Sequence, residues 1–321
     1  RHLYADALRA GNEAEKLGAT GWRVNTVLAL AAYYSGDVAE GYERAAAAMK
    51  DLPAGESSWE SMALVKVFAE SRWKAIKMAV RADKDWPGEW LADVHAAYSV
   101  LRDHPLGTDQ EVVWHYELMM WLGAHKKAVG VLRAGLERFR DSEALHQRLR
   151  DRILKWRGGD ALEATYAGLL KKYDDPARLE AFAGLAALVT GDHWRRIQKF
   201  EKADAAYARA IEHYENAVAA HKAHKAGADH AIALALAARA RLAYLEGDDE
   251  KALETMLASF KRSPDTVGTR DGMGITPGET AQMLLSRLRS AKDEAGTAVL
   301  EEAMSKLDQE LLRPDIGLDG R

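Results

Sequence analysis

Three observations predict an all-α fold built as an array of antiparallel helix pairs. Apolar residues recur at helical spacing through most of the chain, and no segment shows the alternating pattern of a β-strand. Glycine turns divide the helical segments into pairs, as at Gly247 within residues 231–264. The same punctuation recurs, with a small residue five positions and a proline seventeen positions after the glycine. The three complete matches are Gly247-Ala252-Pro264, Gly159-Ala164-Pro176 and Gly36-Gly41-Pro53.

This punctuation indicates a structural repeat. The chain has only seven prolines in 321 residues, so three of them at one fixed offset point to a repeating unit. The spacing resembles that of the tetratricopeptide repeat (TPR), over residues 20–264 and in roughly five divergent units. The resemblance implies a TPR-like α-solenoid, a class of fold that serves as an interaction scaffold.

Several segments are predicted to depart from the regular pairs. Glu201-Lys202-Ala203 aligns with Glu250-Lys251-Ala252, but no proline or glycine stops the helix that follows until Gly227. One helix is therefore expected to be overlong. The predicted irregular segments are an N-terminal capping helix (1–19), the overlong helix near 198–225, a Gly-rich loop (265–276), a C-terminal capping helix pair (277–312) and a tail (313–321).

Capping signals predict where individual helices begin. In a capping box, a Ser or Thr side chain and a Glu three positions later each accept a hydrogen bond from an otherwise unpaired backbone N–H. Asp175 followed by Pro176 predicts a further start, with aspartate as the cap and proline in the first helical position. The predicted boxes are Ser57/Glu60, Thr108/Glu111 and Thr276/Glu279.

Composition and charge narrow the function classes. Apolar residues make up 48% and charged residues 29% of the chain, as in a folded soluble protein. The net charge of −4 gives no overall basic field for nucleic acid or an anionic membrane. The absence of cysteine excludes disulfides and thiolate chemistry. The start at Arg1 favours an exported, periplasmic bacterial protein, with a trimmed cytoplasmic protein as the alternative.

The TPR resemblance also implies a binding groove. In this family the first helix of each unit lines the inner wall, at two, three, six, ten and thirteen positions before the turn glycine. Nine tryptophans, six of them within residues 59–121, make aromatic contacts an expected part of that wall. The polar and aromatic residues at these offsets are Tyr33, Tyr34, Glu117, Trp121, His146, Trp156, Arg157, Arg195, Arg196, Arg241 and Tyr244.

Metal and cofactor chemistry has little support in the sequence. His221 and His224 stand three residues apart on a helix and are candidate metal ligands, with Asp229 or His230 as a third. A solvated helix end is the competing interpretation. No phosphate loop, zinc-protease motif or nucleophile elbow occurs, and no cofactor is expected.

Three functions compete at this point. The first is a non-catalytic scaffold that binds a peptide or partner protein, acidic because four arginines would face it. The second is a helical-array hydrolase acting on glycans with tryptophan platforms and paired carboxylates, although Glu117 has no second acid beside it in the repeat register. The third is self-assembly through the surplus tryptophans.

Overall fold

The computed structural model describes residues 2–173, 177–309 and 311–312, and fourteen α-helices account for most of them. Two short 3-10 helices, Lys222–His224 and Pro264–Gly268, lie between longer ones, and the described ranges contain no strand. The predicted all-α class is therefore confirmed. The chain forms two compact units, Arg1–Leu145 and His146–Arg321. No described helix has both the length and the apolarity required to cross a membrane.

The first unit consists of helices that pack consecutively as antiparallel pairs, α2 with α3, α4 with α5 and α6 with α7. Their core includes Trp22, Ala29, Ala45, Leu64 and Val67, all buried. The helices of the first unit are α1 (His2–Lys16), α2 (Trp22–Ser35), α3 (Val38–Lys50), α4 (Trp59–Arg81), α5 (Gly88–Asp103), α6 (Asp109–Trp121) and α7 (His125–Arg138).

The turn between α2 and α3 shows how the repeat punctuation works. Gly36 ends α2 in the left-handed conformation (φ 110°), which glycine adopts without a steric penalty. Asp37 then caps α3 by accepting a hydrogen bond from the backbone N–H of Glu40. Five positions after the turn glycine, Gly41 packs so tightly that a Cβ there would lie 3.0 Å from the Cβ of Tyr33. The small residue of the repeat therefore marks a close helix–helix contact.

The second unit continues the paired arrangement, with α9 against α10, α11 against α12 and α13 against α14. Its C-terminal core includes Ala252, Met256, Leu284 and Leu300. Its helices are α8 (Glu143–Lys172), which begins at the boundary of the units, α9 (Ala177–Arg196), α10 (Phe200–Ala220), α11 (Lys225–Glu246), α12 (Asp249–Arg262), α13 (Pro277–Ser290) and α14 (Glu294–Ser305).

Helix α8 is two helices joined at a kink, and the repeat register there differs from the prediction. The positive φ belongs to Gly158 (78°), whereas Gly159 is packed against Thr190 and Trp194. Ala164, the small residue of this repeat match, is exposed and does not occupy a close helix–helix contact as Gly41 does. Leu162 and Tyr166 fill the buried positions instead, two residues earlier than the glycine offset places them. The predicted helix start at Asp175 and Pro176 lies outside the described residues.

The predicted overlong helix is also wrong. Helix α10 ends at Ala220 because His221 leaves the helical conformation (φ −150°) and its Nδ1 accepts a hydrogen bond from the backbone N–H of Ala223. Helix α11 begins at Lys225, so Gly227 lies inside it. A histidine that caps the following turn thus ends this helix where neither glycine nor proline is present.

Two of the three predicted capping boxes are confirmed. The box predicted at Ser57 and Glu60 is wrong, because Ser58 caps α4 by accepting a hydrogen bond from the backbone N–H of Ser61. The C-terminal helix α14 is shorter than predicted and ends at Ser305. The confirmed boxes are Thr108/Glu111 at α6 and Thr276/Glu279 at α13, the latter with Pro277 in the first helical position.

Candidate functional site

A pocket of about 610 Å³ opens between helices α2, α4, α5 and α6 of the first unit. Three of the four groove residues predicted in this unit line it, namely Tyr33 from α2 and Glu117 and Trp121 from α6. The fourth, Tyr34, does not line the pocket and stacks on Tyr4, with ring centroids 5.0 Å apart. Apart from α5, the lining helices are the first members of their pairs.

Two helix faces supply most of the pocket lining. Residues three and four apart lie on one face of a helix, so a run with this spacing presents a continuous wall. Met78 and Leu118 are the aliphatic members of the walls, and the other members are aromatic or charged. The α4 wall consists of Glu70, Trp73, Lys74, Lys77, Met78 and Arg81. The α6 wall consists of Trp114, Glu117, Leu118 and Trp121.

The offsets from turn glycines did not identify the residues of the α4 wall, because no glycine follows α4. Asp83 takes the left-handed position at this turn instead (φ 51°), a conformation that aspartate tolerates better than most residues. Counting two, six, ten and thirteen positions back from Asp83 returns Arg81, Lys77, Trp73 and Glu70, all of which line the pocket. A turn aspartate was the sequence signal that could have identified this wall.

Two contacts fix how the walls face each other. Trp73 meets Trp121 edge to face, with centroids 4.9 Å apart, and the Lys66 ammonium lies 4.6 Å from the centre of the Trp114 ring. Both contacts join residues 48 positions apart, so α4 and α6 run parallel at a fixed offset. With this offset, the residue of α6 opposite Glu70 is Leu118, so the neighbouring Glu117 lies at nearly the same height along the helices. Glu70 and Glu117 therefore line one pocket, which the repeat register did not indicate.

Glu70 is a half-buried carboxylate among aromatic rings. The Tyr33 hydroxyl hydrogen-bonds to it, and burial raises the pKa of Glu70 above its ordinary value, against the nearby positive charge of Lys66. No described lysine, arginine or histidine lies within ion-pair distance of its carboxylate. The pKa of Tyr33 is raised to about 12, by burial and then by the Glu70 charge. This end of the pocket is consequently negative.

The rest of the α4 wall is positive. The Lys74 ammonium lies 5.4 Å from the centre of the Tyr33 ring, and the Lys77 ammonium 5.2 Å from the Trp73 ring. Arg81 extends the series on the last turn of α4. None of these three cations forms an ion pair with a carboxylate in the part of the chain that the structure describes. Their charges thus face the pocket and solvent.

A pair of histidines lies behind the pocket wall. His95 Nδ1 is 2.6 Å from His115 Nε2, and the ring of His115 stacks on Tyr98, which lines the pocket. His115 is fully buried, and burial lowers its pKa to about 3, with the neighbouring His95 as a smaller cause. Both imidazoles are therefore neutral at pH 7, and one donates to the other.

In the second unit, the predicted arginine groove is replaced by an internal ion cluster. Arg195 is only 5% exposed and is paired with Asp271 (2.5 Å) and Asp192 (3.5 Å). Arg196 is exposed and donates a hydrogen bond to the carbonyl oxygen of Gly272 (3.1 Å). The groove prediction is wrong for Arg195, because two carboxylates of its own chain neutralise it. Both arginines instead hold the loop predicted over residues 265–276.

Two further residues predicted for the groove of this unit pack toward its interior, His146 in a buried position and Tyr244 in a half-buried one. His146 is 1% exposed, stacks on Phe182 with centroids 3.8 Å apart and lies 3.1 Å from the Tyr166 hydroxyl. Tyr244 packs against the C-terminal core, with the Arg287 guanidinium 3.4 Å from its ring centre. The offset that places His146 on the inner wall therefore does not hold here.

Three predicted residues of the second unit remain at the surface. Trp156 is 55% exposed, with the Arg152 guanidinium stacked 3.9 Å from its ring centre, and Arg157 is exposed beside it. Arg241 borders a depression of about 440 Å³, where burial lowers its pKa and its Nη1 lies 2.6 Å from the sulfur of Met283.

The histidines near residue 221 do not assemble a metal site. The rings of His221 and His224 have centroids 5.8 Å apart, but Asp229 is engaged by Arg262 (2.7 Å) and Lys225. Within the described ranges, no group of three or more potential metal ligands occurs.

The chain has a TPR-like helical-repeat fold, as the repeated glycine and proline spacing predicts. The series of paired helices in the structure itself shows this fold. No protein-family model and no curated protein matches it. Among solved structures, it is similar to the C-terminal part of a TPR protein from Cytophaga hutchinsonii, with 12% identity, 81% of this chain and 91% of that chain covered, and a TM-score of 0.42.

Two further solved structures are similar over most of their length. A tetratricopeptide repeat protein from Parabacteroides merdae is 13% identical, with 91% of this chain and 95% of that chain covered and a TM-score of 0.34. The human IFIT1 dimer with PPP-AAAA is 12% identical, with 94% and 73% covered and a TM-score of 0.31. Likeness at this level concerns the fold and carries nothing about the ligand of this chain.

Proposed function

We propose that the chain is a non-catalytic binding module, and that the pocket of the first unit holds an acidic peptide segment of a partner protein. The observation that carries this proposal is the row formed by Lys74, Lys77 and Arg81, which faces the pocket without any carboxylate of its own unit in ion-pair contact. In this proposal the basic wall lies on helix α4, whereas the sequence predicted that arginines of the second unit would form it.

Charge complementarity identifies the class of ligand. Surface lysines and arginines are commonly interspersed with acids, so three unpaired cations on one helix face attract an anionic partner. Carboxylates from successive peptide residues match such a row, and arginine binds a carboxylate through two parallel hydrogen bonds. Lys74 and Lys77 lie against aromatic rings, which keeps these two side chains positioned at the pocket edge.

The aromatic walls supply a second component of binding. Trp73, Trp114 and Trp121 present large surfaces with few rotatable bonds, which favours contact with apolar side chains at low entropic cost. A volume of about 610 Å³ accommodates a few peptide side chains and is too small for a folded domain. An acidic segment with interspersed apolar residues therefore suits both the charge and the surface of the pocket.

Calorimetric titration with short peptides tests this proposal. An eight-residue peptide of glutamate and leucine should bind, and its glutamine analogue should bind at least about tenfold more weakly. Lys77→Ala and Arg81→Ala should each weaken binding by about threefold, and the affinity should fall as salt rises. Lys50→Ala is the matched control, because Lys50 is an exposed lysine at the end of α3 and away from the pocket.

Two results would overturn the proposal. Equal affinity for the glutamate and glutamine peptides would mean that the cations do not select the ligand. Tighter binding of a short oligoadenylate than of any peptide would instead point to nucleic acid, with phosphates on the same cations.

One observation favours a second candidate, a glycan hydrolase. Glu70 and Glu117 lie at nearly the same level beside three tryptophans, and burial raises the pKa of Glu70, as a general acid requires. Release of reducing ends from soluble oligosaccharides, lost in both Glu70→Gln and Glu117→Gln, would establish catalysis. The binding proposal predicts no turnover with any of these substrates.

A further inference from the structure

The carboxylate of Glu70 has no role in holding an acidic peptide. It is half-buried and lies on the same α4 face as the three cations, close enough to the Tyr33 hydroxyl for that group to lower its pKa. An ionised group in partly desolvated surroundings is costly unless an opposite charge compensates it. This group is consequently the best candidate for a second ligand contact in the pocket.

The cations nearest to Glu70 are engaged elsewhere. Lys66 lies over the Trp114 ring and 3.7 Å from the buried Glu111, which also closes the α6 capping box. Lys74 and Lys77 lie over aromatic rings, as described above, and neither forms an ion pair with Glu70 in the described structure. Within the described residues no cation therefore forms an ion pair with this carboxylate, and the charges of Lys66 and Lys77 act on it only from a distance, where they lower its pKa.

The rings around Glu70 suit a positively charged group. Tyr33, Trp73, Tyr98 and Trp114 line the same pocket, and aromatic faces attract ammonium and guanidinium groups, as the chain's own lysines over Tyr33, Trp73 and Trp114 show. A carboxylate within such rings combines an ion pair with cation–π contacts. Apolar ligand groups would leave the Glu70 charge uncompensated, so this end of the pocket selects against them.

We infer that Glu70 and its surrounding rings form a subsite for a lysine or arginine side chain of the same peptide. The ligand of the pocket is then a segment of mixed charge, basic at one end and acidic at the other. This inference rests on the proposed function and names the second half of its recognition pattern.

Helix geometry fixes the spacing of the two charges. Glu70 precedes Lys77 by seven residues and Arg81 by eleven, which is about 10 Å and 16 Å along the axis at 1.5 Å per residue. An extended peptide advances about 3.3 Å per residue. In the peptide, the basic residue should therefore lie about three to five positions before or after the acidic residues that contact Lys77 and Arg81.

A peptide series with the wild-type protein tests the spacing without any variant. Peptides carry one lysine and two adjacent glutamates, separated by one to eight serine and leucine residues, in both orders of charge. Calorimetry should give the highest affinity with about two to four intervening residues, which places the charges three to five positions apart, at least about fivefold above the extremes of the series. An affinity independent of separation would overturn the inference.

A double-mutant cycle tests the assigned partner. Replacing the peptide lysine with norleucine should weaken wild-type binding about fivefold to tenfold, but Glu70→Gln binding by less than about twofold. Glu43→Gln is the matched control, because Glu43 is an exposed acid on α3 outside the pocket, and it should retain the full effect. An equal loss with Glu70→Gln and with the wild type would overturn the assignment.

The two proposals fail in different ways. If the glutamate and leucine peptide binds and the lysine adds nothing at any separation, the proposed function stands and this inference fails. If neither the acidic nor the mixed peptides bind, the proposed function itself fails. If the protein prefers a peptide that contains lysine but no glutamate, the proposed function also fails, because the cations of α4 then do not contribute to binding. The assignment of the Glu70 subsite would stand in that case.

Discussion

Lowering the pH should destabilise the first unit through His115. This side chain is 1% exposed, lies 2.6 Å from His95 and stacks on Tyr98. Burial lowers its pKa to about 3 in the folded chain, against about 6.5 in the unfolded chain. Between these values the unfolded chain binds a proton that the folded chain does not, so stability must fall as the pH falls below about 6.5.

The magnitude follows from the two pKa values. Each pH unit within this window changes the free energy of unfolding by at most about 1.4 kcal/mol. Between pH 7 and pH 5, His115 alone should lower it by about 2 kcal/mol, and the loss should level off near pH 3. Burial also lowers the pKa values of His95 and His104, which adds to the effect in the same direction.

Urea unfolding at pH 7 and pH 5, followed by tryptophan fluorescence, measures this loss. All tryptophans except Trp156 and Trp194 belong to the first unit, so the signal mainly reports the unit that contains His115. His115→Phe keeps a ring against Tyr98 and removes the titrating group, so it should recover most of the loss at pH 5. The same pH dependence in the variant and in the wild type would refute the reasoning.

Further predictions concern the packing and capping of the helix pairs. Ala252→Leu should lower the free energy of unfolding by about 1–3 kcal/mol, because Ala252 is fully buried, whereas Ala164→Leu should change it by less than about 0.5 kcal/mol, because Ala164 is exposed. Urea unfolding compares the two, and equal costs would show that the register in α8 is misassigned. Thr276→Ala should cost about 1 kcal/mol by removing the capping box of α13, and Thr276→Ser, which retains an accepting hydroxyl, should cost less. Equal costs for these two variants would argue against the capping role.

The fold could be predicted from the sequence wherever a residue type usually has one structural role in the backbone, such as ending or beginning a helix. Gly36 and Gly247 end helices in the left-handed conformation, and Thr276 begins one, as expected. The prediction failed where a different residue ended the helix or supplied the close packing. Two glycines in succession hid the register of α8, because Gly158 supplies the positive φ and Gly159 the close packing. His221 ended a helix that contained no recognised stop signal.

The site was predictable in part, for a related reason. Tyr33, Glu117 and Trp121 follow from offsets to turn glycines, and all three line the first-unit pocket. Arg195 stands at the corresponding offset from Gln198, but its carboxylate partner Asp271 lies 76 residues away in sequence, so only the folded structure reveals the pairing. Offsets along a helix locate a wall but cannot show which charges on it are neutralised by distant segments.

Indole resonances of the protein labelled with ¹⁵N at tryptophan test the central claim most directly. Titration with the glutamate and leucine peptide should shift the signals of Trp73, Trp114 and Trp121, assigned through single Trp→Phe variants, and the three shifts should saturate with one affinity. The signals of Trp156 and Trp194, in the second unit, should stay in place. Shifts confined to those two, or none at saturating peptide, would contradict the assignment of the binding pocket to the first unit.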